Sequence, residues 1–219
     1  MIVVDPGHSP AIFAIDRRTG LNVSDYENEP EMRDVFNVAV RVANQLRRAG
    51  YRVILTKKYA RQRVSLGQRA AIANRAHAAL ALSIHDQAGA NGGLYFKTQN
   101  NVVYDQSVGT YRATPGGRKV FFTRKHVAAR SKRYGRIFRT WRHRVENTHI
   151  TLRGNVGYNL GSRGLPAGNI WLVQLLSHVP WIYNEAGGNS TGRIGLSRAD
   201  KRTYARALVV AVEHCVPIS

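Results

Sequence analysis

Cysteine is almost missing from this chain. The single Cys215 excludes an intrachain disulfide. It falls in the apolar stripe of an expected last helix, so it reads as a small buried hydrophobe rather than a reactive thiol. Acidic residues are also scarce: 13 Asp and Glu stand against 33 Lys and Arg, for a net charge of +20. A field of that sign draws a protein to a polyanion, whether nucleic acid, an anionic membrane or an anionic cell wall. No apolar run reaches membrane-spanning length, and no repeat recurs at solenoid periods. No signal peptide is visible, because the chain enters a strand at once. The expectation is a cytoplasmic protein, a trimmed form of an exported one, or one released by lysis.

The 219 residues, 43% of them hydrophobic, suit one domain with a proper core. Ile2, Val3 and Val4 run into Asp5-Pro6-Gly7-His8, which predicts a short buried strand ending at an imidazole. A polar loop through Arg17, Arg18, Thr19, Gly20 and Ser24 leads to Pro30. Val35, Val38, Ala39, Val42 and Leu46 then recur at helical spacing, and Gly50 follows as a helix terminator. "YRVILTKK" predicts a strand. Ser65 and Gln68 resemble a capping box opening a helix through "RAAIANRA". "ALALSIHD" predicts a strand ending near His85, with "GGLYFK" as its neighbour. The stretch from Thr98 to Gly117 reads as a loop-like insertion. Tyr134, Ile137, Phe138, Trp141 and Val145 form a helical stripe, "WIYNEAGG" a last strand, and Ser197 caps a last helix. This alternation implies an α/β class: a single domain, 1–219, with a mixed, mostly parallel sheet flanked by helices and a loop insertion around 98–117.

In such a sheet, strand carboxyl ends and helix amino ends share one edge. His8, His85 and Glu185 fall at strand ends, and Glu31 opens the first long helix. Two imidazoles and a carboxylate make a common catalytic zinc site, and a further carboxylate can serve as proton acceptor. Each residue also has a bland reading. A strand-end histidine is often only hydrogen-bonded, Glu31 suits the helix dipole without any metal, and Glu185 can simply terminate a strand. No compact motif such as H-E-x-x-H is present.

"IVVDPGH", a Glu opening a helix that ends in "AGYRVILTK", then "VSLGQRAAIANRAHAALALSIHD" and "VPWIYNEAGGNS" resemble the zinc-dependent N-acetylmuramoyl-L-alanine amidases of the amidase-3 type. The resemblance runs through most of the chain, in order. It implies a single α/β domain, one Zn2+ ion, and hydrolysis of the amide between the N-acetylmuramic acid lactyl group and L-alanine of peptidoglycan. It further implies His8, Glu31 and His85 as zinc ligands and Glu185 as the catalytic carboxylate. Glu27 and Glu29 are rivals to Glu31, which is preferred because its distance to Gly50 fits the family pattern. Two departures stand out. Gln87 replaces the family's Asn two places after His85, and Ala186, Gly187, Gly188 and Asn189 replace its usual run after the catalytic Glu.

The stretch 118–153 is strongly basic, with Glu146 as its only acid. Arg133, Arg136 and Arg144 lie off the aromatic stripe. The bland reading is a solvated helix face, and the functional one is adhesion to anionic wall polymers or lipid head groups. A rival for the whole chain is a nucleic-acid-binding protein, since arginine with interleaved aromatics fits one; another is an inactive wall-binding amidase fold. The expected actor is a monomeric wall hydrolase working in the periplasm or outside the cell, an autolysin or an endolysin.

Overall fold

Three consecutive β-branched residues need burial on both faces of a strand, and they receive it: Ile2, Val3 and Val4 are fully buried. The structure, a computed structural model, describes residues 1–16, 23–87, 89, 91–99, 101–105, 110–111, 118–121, 123–154, 170–187 and 195–218. Within 101–121 and at 170–171 only the backbone is described. Arg17, Arg18, Thr19 and Gly20 of the expected polar loop lie outside the described residues, as do Gly188 and Asn189.

In chain order the elements are β1 (Ile2–Pro6), α1 (Glu29–Arg48), β2 (Val53–Leu55), α2 (Leu66–Arg75), β3 (Leu80–Asp86) and β4 (Gly92–Phe96). They continue with β5 (Asn101–Asp105), β6 (Thr110–Tyr111), β7 (Arg118–Phe121), α3 (Lys125–Glu146), β8 (Ile150–Gly154), α4 (Ile170–Leu176), β9 (Trp181–Ala186) and α5 (Arg198–Cys215). Six strands form the main sheet in the order β2-β1-β3-β9-β4-β8, parallel except for the β4–β9 pair. The mixed, mostly parallel sheet with flanking helices is the expected one.

Strand alternation sorts the core into two layers. Ile2, Val4, Leu80, Leu82, Ile84 and Ile182 pack under α1, α3 and α5. Val3, Ala81 and Trp181 pack under α2 and α4. The α1 stripe Val35, Val38, Ala39, Val42 and Leu46 is fully buried. At roughly 1.5–3 kcal/mol for each large buried side chain, packing outweighs helix propensity here. Pro30 in the first turn, Glu29 and Glu31 beside it and Arg47 and Arg48 in the last turn agree with the helix dipole. Gly50 follows the C-cap at φ +94°. The Ser65–Gln68 capping box closes in both directions, and Ser197 forms another with Asp200. Cys215 is buried, and burial pushes its thiol up, as befits a core residue.

Three expectations need correction. Strand β4 is not the neighbour of β3, because β9 lies between them. β9 is buried along all six residues and therefore needs a partner on each edge. The linker 87–91 can hop one strand, since five residues reach well beyond the roughly 10 Å between alternate strands. The stretch read as a loop insertion carries β5 and β6, which join β7 in a separate antiparallel sheet of order β6-β5-β7. Arg142, counted in the basic stretch, is fully buried rather than displayed. Strand β8 and helix α4 were not anticipated.

Candidate metal centre

Residues 6–8 leave β1 at its carboxyl end, where Gly7 N donates to Ile84 O of β3 at 2.9 Å. Gly7 is required by close approach: a Cβ there would lie 2.2 Å from the His85 ring. His8 then adopts φ +54°, the left-handed region that a non-glycine residue enters at a cost. Two buried basic side chains hold it there. Arg69 Nη2 and Lys57 Nζ each donate to His8 O at 2.6 Å.

Arg69 is the hub. Its guanidinium also reaches Asp5 Oδ1 at 2.7 Å, Pro6 O at 2.6 Å, Ser9 Oγ at 2.8 Å and Asp25 Oδ2 at 3.0 Å. Asp5 accepts in turn from Thr56 Oγ1 and Ser83 Oγ. Burial lowers the Lys57 pKa to about 7, with the Arg69 charge adding to the effect. These residues were not anticipated from the sequence. The available signal was Arg69 itself, a charge at helical spacing between Leu66, Ala70 and Ala73, all of which are buried.

The structure brings His8, Glu31 and His85 together. Their candidate donor atoms lie within 4.8 Å of one another, and all three residues are buried. Glu31 bridges the imidazoles: its Oε2 is 2.8 Å from His8 Nε2 and its Oε1 is 3.0 Å from His85 Nδ1. Asn28 Nδ2 donates to Oε2 at 2.7 Å, and Asp86 N to Oε1 at 3.0 Å. The rivals point elsewhere. Glu29 pairs with Arg33 and Arg61, and Glu27 with Arg61. His8 Nδ1 is buried with no hydrogen-bond partner among the described residues.

Glu185 joins the site through sheet register, which places it directly beside His85. It is buried, and its Oε2 has no partner among the described residues. Tyr183, two residues back on the same face, hydrogen-bonds the Glu185 carboxyl and stacks on His85 at 4.2 Å between centroids. From behind, Arg142 Nη2 donates to Glu185 O at 2.9 Å while its guanidinium pairs with Glu146. Gln87, the lengthened amide, donates to Asn91 O at 3.1 Å.

The two carboxyl groups are pushed apart. Burial alone would raise Glu31, but the hydrogen bonds from His8 and His85 prevail and hold it well below the usual range. Burial raises Glu185 well above its ordinary value, and the Glu31 charge adds to this. Burial lowers His85, against the pull of Glu31, and so favours a neutral imidazole with a lone pair to give. Environments that separate two carboxyls in this way mark acid–base assignments.

Fold and site together define a class: an α/β enzyme with a candidate metal centre and a separate buried carboxyl at the carboxyl edge of its sheet. The sequence model of the amidase-3 family, N-acetylmuramoyl-L-alanine amidase, matches residues 2–187, and the chain belongs to that family. It is an N-acetylmuramoyl-L-alanine amidase, a hydrolase acting on peptidoglycan. A comparison with curated proteins finds no match. Among solved structures, the chain is similar to the N-acetylmuramyl-L-alanine amidase Ami1 of Mycobacterium smegmatis, at 15% identity and TM-score 0.64, over 98% of this chain and 95% of that one. It is also similar to Ami1 of Mycobacterium abscessus, at 16% identity and TM-score 0.62, over 98% and 97%. A third is the amidase AmiC2 of Nostoc punctiforme, at 17% identity and TM-score 0.58, over 97% and 94%. At such identities these likenesses speak for the fold.

The Arg69 hub makes the first prediction. Arg69→Met leaves Asp5 and Asp25 as buried charges without their cation. Stability should fall by about 3–5 kcal/mol, the scale for breaking a buried pair, read from the urea midpoint. A loss below about 1 kcal/mol, that of a surface pair, would contradict the role given to Arg69.

Proposed function

We propose that this amidase is zinc-dependent, that His8, Glu31 and His85 hold the ion, and that Glu185 is the catalytic carboxylate. The observation that carries the reading is the convergence of three buried donors beside a second buried carboxyl, that of Glu185, whose Oε2 has no partner among the described residues. The donor set fits the ion, since two imidazoles and a carboxylate leave a coordination position open. Zinc, when bound, supplies Lewis acidity toward a carbonyl oxygen and toward water.

The chain's own residues handle the proton. A cation among His8, Glu31 and His85 opposes the Glu31 charge that helps keep Glu185 protonated, and so brings Glu185 toward the range where it can exchange a proton. The Glu185 carboxylate takes a proton from the attacking water and returns it to the departing L-alanine nitrogen. The lactyl C–N bond breaks, the water oxygen ends in the lactyl carboxyl, and the free amine leaves. Tyr183 and Arg142 hold Glu185 from its side chain and its carbonyl. One chain supplies all four site residues, which supports action as a monomer, in the periplasm or outside the cell where the wall lies.

The basic helix α3 is proposed to hold anionic wall polymers. Arg133, Arg136, Arg139 and Arg144 are exposed, while Tyr134 and Phe138 are buried. Arg133 lies over the Tyr134 ring and Arg144 over Trp141, at 5.4 and 5.0 Å.

Purified protein should contain about one zinc per chain, as a three-ligand site requires. His8→Ala and His85→Ala should each lose metal and hydrolysis of a muramoyl dipeptide together. Full zinc in both variants would refute the ligand set.

Glu185→Gln should keep zinc and fold yet lower turnover at least roughly a hundredfold, the scale of general acid–base catalysis. Surviving activity would assign the proton transfer to another group. Loss of zinc would make Glu185 a ligand.

Changing Arg133, Arg136 and Arg144 together to Gln should leave turnover on the soluble dipeptide unchanged and lower it on intact wall. Because salt screens exposed charges beyond about 8–10 Å, the deficit should shrink as salt rises. No loss on either substrate would favour a merely solvated face, and equal losses on both would implicate the fold.

A further inference from the structure

The amino end of α3 lies at the sheet edge opposite the metal centre. β4 runs antiparallel to β9, so its carboxyl end meets the start of β9, and Lys97 N donates to Trp181 O at 3.2 Å. There a cleft of about 640 Å³ opens, lined by His77, Lys97, Thr123, Arg124, His126 and His178 among others. Among the described residues that line it, none is an aspartate or glutamate.

Three independent features of this cleft ask for an anion. The N-cap residue of α3, Arg124, makes no side-chain cap bond, and the first turn carries no acid. Val127 N turns back to Arg124 O at 3.0 Å, but this helix of 22 residues still presents its positive dipole end without a side-chain cap or an acid. Thr123, 4% exposed, lines the cleft, and its buried Oγ1 has no hydrogen-bond partner among the described residues. Lys97 is fully buried; its Nζ donates to Gln174 O and Leu175 O, and burial lowers its pKa to about 7, so an anion nearby would favour its charged form. A charge on a buried amine and an unpaired buried hydroxyl both cost free energy until they are paired.

We infer that this cleft is a second binding site, one for a phosphodiester anion, and that its natural occupant is the backbone of an anionic wall polymer. The site rests on the wall-polymer reading of α3 and gives it a specific seat, remote from catalysis. A tetrahedral anion suits the surroundings: a helix amino terminus, a hydroxyl donor and the Arg124 guanidinium can each donate to a different oxygen. The concave shape favours a polymer segment over a bilayer. The exposed large apolar side chains among the described residues are Phe13, Ile15, Tyr26, Tyr59 and Ile218, and none lines the cleft.

The test titrates sn-glycero-3-phosphoglycerol, a soluble phosphodiester without acyl chains, into the full chain at physiological salt. Saturable one-site binding is expected. Thr123→Val should weaken it about tenfold, the scale of a lost bond to a charged group, while the melting temperature stays level or rises because the hydroxyl had no partner to lose. Arg124→Gln with His126→Gln should weaken it at least as much. The Arg133, Arg136 and Arg144 triple variant should bind the diester normally. Absence of saturation, or an equal loss in the triple variant, would overturn the site and leave only a diffuse field. A second arm measures retention on a purified polyphosphodiester wall polymer and on phosphatidylglycerol vesicles. The cleft variants should lose retention on the polymer; a loss confined to vesicles would overturn the polymer assignment in favour of a membrane. The triple variant's retention on intact wall separately judges the broader adhesion reading, and hydrolysis of the soluble dipeptide by the cleft variants, expected to be unchanged, judges the catalytic one.

Discussion

A buried guanidinium holds this structure's chemistry in place. Arg69 ties the end of β1, the Asp25 segment and the start of α2 to one planar cation. Without it, the left-handed turn at His8 would be an unsupported strain, and Asp5 and Asp25 would be unpaired charges in a dry interior. Lys57 adds a second donor to the same carbonyl. The His8 imidazole is therefore aimed by its backbone. Gly7 completes the constraint by leaving room for the His85 ring.

With His8 fixed, the remaining geometry follows from sheet register and one helix terminus. β3 and β9 run parallel with His85 opposite Glu185, and α1 begins with Glu31 bridging both imidazoles. The same burial acts on the two carboxyls with opposite results, because their partners differ. Glu31 accepts four hydrogen bonds and stays ionised. Glu185 has a tyrosine hydroxyl and a neighbouring negative charge, and it is driven toward the protonated form. Two identical side chains at one sheet edge are thus pushed in opposite directions, one toward the ionised form and one toward the protonated form.

Much of this was legible in the sequence wherever the signal is local. The buried β1 run, the α1 stripe, the capping box at Ser65 and the Ser197 cap depend on neighbours within a few residues, and each appears as read. Placing Glu31 over Glu27 and Glu29 took the family resemblance, since three acids within five positions look alike until the helix phase is known. Strand order was not legible: the insertion of β9 between β3 and β4 is a contact between residues about ninety apart. α4 escaped because a short run of apolar residues has no amphipathic period. Arg69 and Arg142 escaped because sequence reading assigns arginine to the surface, whereas these two are enclosed by carboxylates and carbonyls.

The charge of +20 is spread unevenly in its consequences. Fully buried arginines serve architecture, the exposed ones on α3 face solvent, and the sheet edge that carries His8, Glu31, His85 and Glu185 keeps all four side chains buried. The central claim is that His8, Glu31 and His85 hold the metal while Glu185 stays outside its coordination. Anomalous diffraction from a crystal of the protein, collected on both sides of the zinc absorption edge, tests it most directly. The account predicts one edge-dependent peak per chain, in contact with those three side chains and beyond bonding distance of Glu185. A peak coordinated by Glu185, or one among other residues, would contradict it.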